Sequence, residues 1–306
     1  MGQRVIVIVG PTCSGKSFLG LKLSQLINGE IISADSRQIY KRLNIGTAKP
    51  SLEELQKVKH HFIDILNPDE DYDASKFSVD AENVIDDIHK KNKTAVVAGG
   101  SGLYIKALID GIVDTADKDE GLRKELLAKK EKYGNEFLYN ELKKVDPISA
   151  EKMLPQNWKR VIRALEVFYL TGKPIWQHHS SQNKNSKFSF YQIGLNWNRD
   201  TLYTRIEDRI DKMIEDGLVD EVAGLLKDGY DKNLNSLNTV GYKEIISHLE
   251  EEINLNRAIE LIKRNTRRYA KRQLTWFRAD ERIKWFNVSS QDDMDDLALQ
   301  VINNID

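Results

Sequence analysis

Gly10-Pro11-Thr12-Cys13-Ser14-Gly15-Lys16-Ser17, set directly after the apolar run Val5–Val9, is the stretch on which the reading of the fold turns. It has the spacing G-x-x-x-x-G-K-[ST] in the context that gives the pattern meaning, between a strand and a helix. Val5–Val9 is short, β-branched and closed by a glycine, as expected of a buried parallel strand. Ser17–Ile27 carries Leu19, Leu23 and Leu26 at helical spacing and stops at Asn28-Gly29. In such a loop the glycines let successive backbone N–H groups turn inward, and the helix start adds its dipole. Gly10, Pro11, Thr12, Cys13, Ser14, Gly15, Lys16 and Ser17 therefore read as a diphosphate cradle, with Lys16 neutralising phosphate oxygens. Ser17 offers a hydroxyl suited to a bound Mg²⁺. Cys13 reads as a space-filler, because loops of this kind bind through backbone groups.

Outward from the loop, Glu30–Ala34, His61–Leu66 and Thr94–Ala98 read as further strands, with helices over 75–91 and 103–109. Strand–helix alternation of this kind makes a parallel sheet with helices on both faces. From about Asp114 to Thr171 nothing reads as a strand; the segment is helical and highly charged. Its best helix is Trp158–Thr171, ended by Gly172-Lys173-Pro174, and the polar residues 177–187 read as a loop. Phe188–Trp197 alternates like a strand, followed by helices near 200–215, 218–227, 240–250 and 255–277. A short strand at Ile283–Phe286 and a final helix complete the pattern. The expected architecture is an α/β P-loop core, residues 1–112 and 188–306, interrupted by a small all-helical insertion at 113–187.

Composition narrows the class. At 306 residues, 40% hydrophobic and 30% charged, the chain has the balance of an ordinary globular protein. No apolar run approaches the roughly 20 residues that cross a bilayer, so no membrane partner is expected. A single cysteine excludes an intrachain disulfide framework and suits a reducing cytoplasm. No histidine stands at zinc-site spacing beside a cysteine pair. The net charge of −1 conceals a local imbalance: residues 263–278, KRNTRRYAKRQLTWFR, hold seven Lys/Arg and no acid. Positive charge gathered in one segment of a near-neutral chain points to a polyanionic partner.

The loop does not by itself imply nucleotide hydrolysis. An ordinary P-loop NTPase also has an acid ending a second core strand to help hold Mg²⁺. Here Thr94–Ala98 ends in Gly99-Gly100-Ser101. The best-placed acid is Asp35, after Glu30–Ala34, and from position alone it fits a Mg²⁺ outer ligand, a turn-forming residue or a general base.

Taken together these stretches resemble the bacterial tRNA dimethylallyltransferases, also called tRNA isopentenyltransferases. The matching segments are GPTCSGKS at 10–17, ISADSRQIYKRLNIGTAKP at 32–50, HHFIDI at 60–65 and VAGGSGLYIKAL at 97–108. RVIRALEVFYLTGKP at 160–174, VGYKE at 240–244 and KRQLTWFR at 271–278 continue the resemblance in the family's order over nearly the whole chain. It implies transfer of a dimethylallyl group from dimethylallyl diphosphate to the exocyclic N6 of the adenosine 3′ of the anticodon. On that resemblance Asp35 is the general base, assisted by Lys16 and by Ser101, which stands where the family usually has threonine. It places tRNA contacts at Asp35, Ser36, Arg37, Gln38 and Ser101. Further contacts are expected from Lys159, Arg160, Val161, Ile162 and Arg163, with Arg123 also from the insertion. The last group is Lys271, Arg272, Gln273, Leu274, Thr275, Trp276, Phe277 and Arg278. The lead-in Trp158-Lys159-Arg160 departs from the family's usual small polar residues.

The chemistry suits these residues. An allylic diphosphate ionises readily, so the demand falls on stabilising the leaving diphosphate, which loop amides, Lys16 and Mg²⁺ supply. No water or γ-phosphate need be positioned, which accounts for the missing second-strand acid. Adenine's amino group is a poor nucleophile, and a carboxylate that removes its proton is worth about 10²–10⁴-fold. The base must leave its stack, and aromatics among arginines on one helix suit loop bases and backbone. For Trp276 and Phe277 the plainer alternative is packing in the core. Competing readings are an isopentenyltransferase acting on free adenine nucleotides, a small-molecule P-loop kinase, and a non-catalytic RNA-binding module. A monomer is the default, since no heptad pattern is present.

Overall fold

Val5–Val9 falls at the centre of a six-stranded sheet, and that position explains its composition. The computed structural model describes residues 3–112, 119–180 and 186–304, without the side chains of 179 and 180. The strands are β1 (Gln3–Val9), β2 (Gly29–Ser33), β3 (His60–His61), β4 (Thr94–Ala98), β5 (Phe188–Trp197) and β6 (Lys284–Val288). They lie in the order β3-β2-β4-β1-β5-β6, and every pairing is parallel. Val5, Ile6, Val7, Ile8 and Val9 all have 0% exposure, so both faces of β1 are covered. Burying each such side chain contributes on the order of 1.5–3 kcal/mol. The edge strand β6 is only partly covered and reads accordingly as a mixed sequence, KWFNV.

Register puts the C-terminal ends of the strands together, where a parallel sheet binds ligands. Val9, Ala98 and Ser33 end their strands beside one another, through the pairings Ile8 with Ala98 and Ser33 with Ala98. The phosphate loop therefore leaves the sheet beside the turn after β4, and the Asp35 turn lies one strand further out.

Two elements differ from the sequence reading. The strand expected over His61–Leu66 is confined to His60–His61, because Phe62 (φ 64°) and Asp64 (φ 55°) are left-handed and break an extended chain. An unforeseen short helix, Leu52–Lys57, follows Ser51, whose side chain accepts from Glu54 N–H while Glu54 returns to the Ser51 N–H. Residues 177–180, expected in a loop, belong to the helix Ile175–Ser180, and 181–185 lie outside the described residues.

The chain divides into two compact units, Met1–Ile109 with Ser186–Asp306, and Asp110–Asn185. The expected boundary at 112/113 borders residues 113–118, which lie outside the described residues. The second unit is built from the helices Glu120–Tyr133, Asn135–Val145, Pro147–Glu151, Trp158–Thr171 and Ile175–Ser180. Its own core gathers Leu126, Leu138, Leu142, Ala150, Val161, Ile162, Ala164 and Leu165. Trp158–Thr171 stops because Gly172 takes φ 70°, a left-handed cap that glycine adopts without strain.

In the first unit the helix Leu255–Arg278 carries the basic run. It buries Ala258, Ile262, Ala270, Gln273 and Phe277, a stripe at helical spacing. Arg264, Arg268, Lys271, Arg272, Thr275, Trp276 and Arg278 remain exposed. Among the described residues no helix is long and apolar enough to cross a membrane.

Candidate active site

The phosphate loop is held open by backbone geometry. Gly10 (φ 150°) and Gly15 (φ 88°) take conformations open to glycine, and a Cβ on Gly10 would lie 2.9 Å from Ser14 Oγ. Cys13 is left-handed at φ 63° although it is not a glycine. Three bonds from distant elements hold it in that shape. Arg205 Nε donates to the Cys13 carbonyl at 3.1 Å, Arg209 Nη1 to Cys13 Sγ at 3.5 Å, and Trp197 Nε1 to the Ser14 carbonyl at 2.9 Å. The Arg205 guanidinium also stacks 4.4 Å from the centre of the Trp197 ring.

Lys16 opens the helix Lys16–Leu26 and donates to the Pro11 carbonyl at 2.6 Å. Burial pulls its ammonium down to about 8, helped by Arg209 and opposed by the charges of Cys13 and Asp35. Its hydrogen-bond partner is a neutral carbonyl, so its charge is available to an anion entering the cavity.

The loop forms one wall of a cavity of about 830 Å³. Thr12, Cys13, Ser14, Gly15, Lys16 and Ser17 line it together with Asp35, Ser36, Arg37 and Gln38. The other walls bring Arg205, Asp208, Arg209, Lys243, Tyr269, Arg272 and Gln273. Cationic groups thus cluster near the loop, and the turn after β2 brings the Asp35 carboxylate into the same cavity, close enough for its charge to act on Lys16. Asp35 Oδ1 accepts from Arg37 N–H at 2.8 Å and Gln38 N–H at 3.3 Å, so one carboxylate oxygen shapes its own turn. Ser101 stands behind that turn, its Oγ accepting from Ser36 N–H at 3.0 Å. Gln38 accepts from Ser33 Oγ and donates to the carbonyls of Thr47 and Ala48, tying the Asp35 turn to the next loop.

That loop, Asn44–Pro50, is fixed by Glu221. Its carboxylate accepts from the N–H groups of Asn44, Ile45 and Gly46 at 2.9, 2.8 and 3.2 Å, and from the Tyr242 hydroxyl at 2.6 Å. Tyr242 is fully buried against Gly46, where an added Cβ would lie 2.4 Å from Tyr242 Cε2. Burial pushes the Tyr242 hydroxyl far above its usual range, so it stays a donor.

The candidate RNA residues separate by exposure. Lys271, Arg272, Thr275, Trp276 and Arg278 face outward, and Arg278 donates to Asn196 at 3.1 Å. Trp276 is 41% exposed and packs its ring edge over Gly102, whereas Phe277 is turned into the core. Leu274 is half-buried. Gln273 turns inward: its Oε1 accepts from Thr12 N–H at 2.8 Å and its Nε2 donates to the Gly100 carbonyl at 2.9 Å. In the insertion Val161 and Ile162 are core residues, so only their backbone is left for RNA. Lys159 and Arg160 are exposed, and Arg123 and Arg163 both approach the buried Glu166, at 3.0 and 3.8 Å.

Ser17, Asp35 and Asp208 give the cavity an oxygen donor set, the kind a hard divalent cation accepts. Among the described residues no group of three His, Cys, Asp or Glu side chains forms a metal cluster, so such a cation would need ligand oxygens and water to complete its shell.

Comparison with known proteins gives this geometry its family. The family model described as IPP transferase matches residues 38–280. The chain belongs to the IPP transferase family. A tRNA dimethylallyltransferase of Alkaliphilus oremlandii is 47% identical over 299 residues, 97% of this chain and 96% of that protein. One from Acetivibrio thermocellus is 48% identical over 288 residues, 93% and 92%. Among solved structures, the tRNA isopentenylpyrophosphate transferase of Bacillus halodurans superposes with a TM-score of 0.73 at 39% identity, covering 99% of this chain and 95% of that one. A eukaryotic dimethylallyltransferase described as acting on tRNA gives 0.84 at 32% identity, covering 98% and 77%.

Several residues that build the site carry no signature in the sequence. Arg205 and Arg209 reach the loop from a helix about 190 residues away, and nothing in RIEDRI marks them as phosphate residues. Glu221 was equally invisible. Lys243 had a signal, since VGYKE is one of the family-like stretches.

Proposed function

We propose that the chain transfers a dimethylallyl group from dimethylallyl diphosphate to the exocyclic N6 of adenosine 37 of tRNA. The observation that carries the reading is one cavity lined both by the phosphate loop with Lys16 and by the Asp35 carboxylate. The loop amides, Lys16 and Arg209 receive the diphosphate. Ser17 would hold Mg²⁺ against its oxygens, and the ion would supply further neutralisation of the leaving group.

The reaction then balances simply. The bond from the allylic carbon to the diphosphate oxygen breaks, and the N6–carbon bond forms. The N6 proton passes to the Asp35 carboxylate, and the diphosphate keeps the electron pair. Ser101 holds the Asp35 turn in register through Ser36, while Arg37 and Gln38 border the base. On this reading Lys271, Arg272, Thr275, Trp276 and Arg278 are the tRNA contacts of the first unit, and Lys159, Arg160, Arg163 and Arg123 those of the insertion. The reading extends to a cytoplasmic enzyme, which the single cysteine suits, and to a monomer, in keeping with a sequence that has no heptad pattern.

The test is incubation with labelled dimethylallyl diphosphate, Mg²⁺ and either unmodified tRNA or AMP. Label entering tRNA at the adenosine 3′ of the anticodon is the expected result. Label in AMP alone selects the free-nucleotide enzyme, and no label in either sinks the proposal.

A further inference from the structure

Gln273 lies in the middle of the basic run, yet it is the one polar side chain of that helix buried at its inner face. Its carboxamide spans two pieces of the active-site floor. On one side Oε1 accepts from the N–H of Thr12, in the phosphate loop. On the other, Nε2 donates to the carbonyl of Gly100, in the turn after β4. Residue 100 must be glycine for this: a Cβ there would lie 2.2 Å from Nε2. Tyr269, one turn earlier on the helix, also reaches the Gln273 side chain, and burial first of all pushes its hydroxyl up to about 12.

We infer that Gln273 is a positioning residue for the diphosphate loop rather than a tRNA contact, fixing Thr12 and Gly100 so that the loop is preformed for its ligand. The inference rests on the loop being the diphosphate site of the proposed reaction. Only an amide fits the role. Glutamate of the same shape keeps an acceptor for Thr12 but sets a carboxylate oxygen against the Gly100 carbonyl, and leucine or alanine loses both bonds. The exposed neighbour Lys271 faces outward and does not line the cavity, whereas Arg272 borders both the cavity and solvent. The two functions of one helix therefore lie on opposite faces: RNA affinity outside, diphosphate-site geometry inside.

The experiment compares Gln273→Ala, Gln273→Glu and Lys271→Ala with the parent enzyme. Binding of inorganic diphosphate with Mg²⁺ to the free protein is measured by calorimetry, and KM for dimethylallyl diphosphate and for tRNA by initial rates. Both Gln273 variants are expected to weaken diphosphate binding and raise the KM for the prenyl donor about tenfold, with the KM for tRNA within about twofold. Lys271→Ala is expected to do the reverse. Far-ultraviolet circular dichroism and melting establish that each variant is folded; if Gln273→Ala is not, Gln273→Glu carries the test. A tRNA KM that rises while diphosphate binding stays put overturns the inference and makes Gln273 an RNA contact. So does an unchanged diphosphate affinity in a folded Gln273→Glu. If the parent binds diphosphate but transfers nothing to tRNA, the proposed function fails while the calorimetric comparison still decides the role of Gln273.

Discussion

Replacing Glu221 tests how the active-site wall is built, because four donors converge on one carboxylate. In Glu221→Ala the N–H groups of Asn44, Ile45 and Gly46 and the Tyr242 hydroxyl all lose their acceptor. Water replaces it for the exposed Asn44. The bonds of Ile45, Gly46 and Tyr242 are at least partly buried, and a buried donor left unpaired costs about 1–3 kcal/mol. Partial relaxation of the loop lowers the sum, so a loss of roughly 3–5 kcal/mol is expected. Glu221→Gln retains one oxygen but turns an NH₂ toward N–H groups, and about half that loss is expected. Urea denaturation gives the stability difference, and initial rates give the consequence for catalysis. Because Gly46, Thr47, Ala48, Lys49 and Pro50 line the cavity, kcat/KM for the prenyl donor falls in the same order. A stability loss under about 1 kcal/mol for Glu221→Ala would refute the reasoning, since three part-buried donors cannot go unpaired so cheaply.

Gly99→Ala places a Cβ 2.1 Å from the Ala34 carbonyl oxygen, a backbone atom that cannot swing aside. A loss of about 3 kcal/mol or more, or failure to fold, is expected in thermal melting. Glu30 gives a pH dependence. Burial raises its carboxyl, but bonds from Lys93 and His61, each at 2.8 Å, outweigh burial and hold it at about 2. Its folded value is thus below the ordinary one, so its stabilisation is complete above about pH 4.5 and fades as pH falls toward about 2. Glu30→Gln should flatten that acid limb in denaturation curves taken between those pH values. For the outward face, Lys271→Ala with Arg272→Ala should lower tRNA affinity and reduce the slope of log K against log salt by about 0.7–0.9 per lost phosphate contact. An unchanged slope would remove these residues from the RNA interface.

How much of this could be read in the chain depends on how local each feature is. β1, the phosphate loop and the following helix declare themselves because the strand pattern, the glycines and the lysine all lie within about twenty residues. Asp35 is legible for the same reason, as the acid that ends the next strand. The strand expected at 61–66 misled because its composition is extended-like while Phe62 and Asp64 adopt left-handed conformations. The helix at 52–57 had its signal in Ser51 and Glu54, yet it buries none of its residues and so shows no apolar stripe. What a sequence cannot display is convergence from afar. Arg205 and Arg209 meet Cys13, Glu221 meets Asn44–Gly46, and Gln273 meets Thr12 across 261 residues. In KRQLTWFR the inward and outward residues share one run, and only the helix's packing sorts Gln273 and Phe277 from Arg272 and Trp276.

The assignment of Asp35 as the base is tested most directly by Asp35→Asn. The amide oxygen of asparagine can still accept from Arg37 N–H and Gln38 N–H, so the turn is kept while the basic oxygens are lost. Single-turnover transfer with enzyme-bound tRNA should slow by about 10²–10⁴-fold, with the tRNA dissociation constant unchanged. Transfer within about tenfold of the parent rate, or tRNA affinity falling as steeply as turnover, would contradict it.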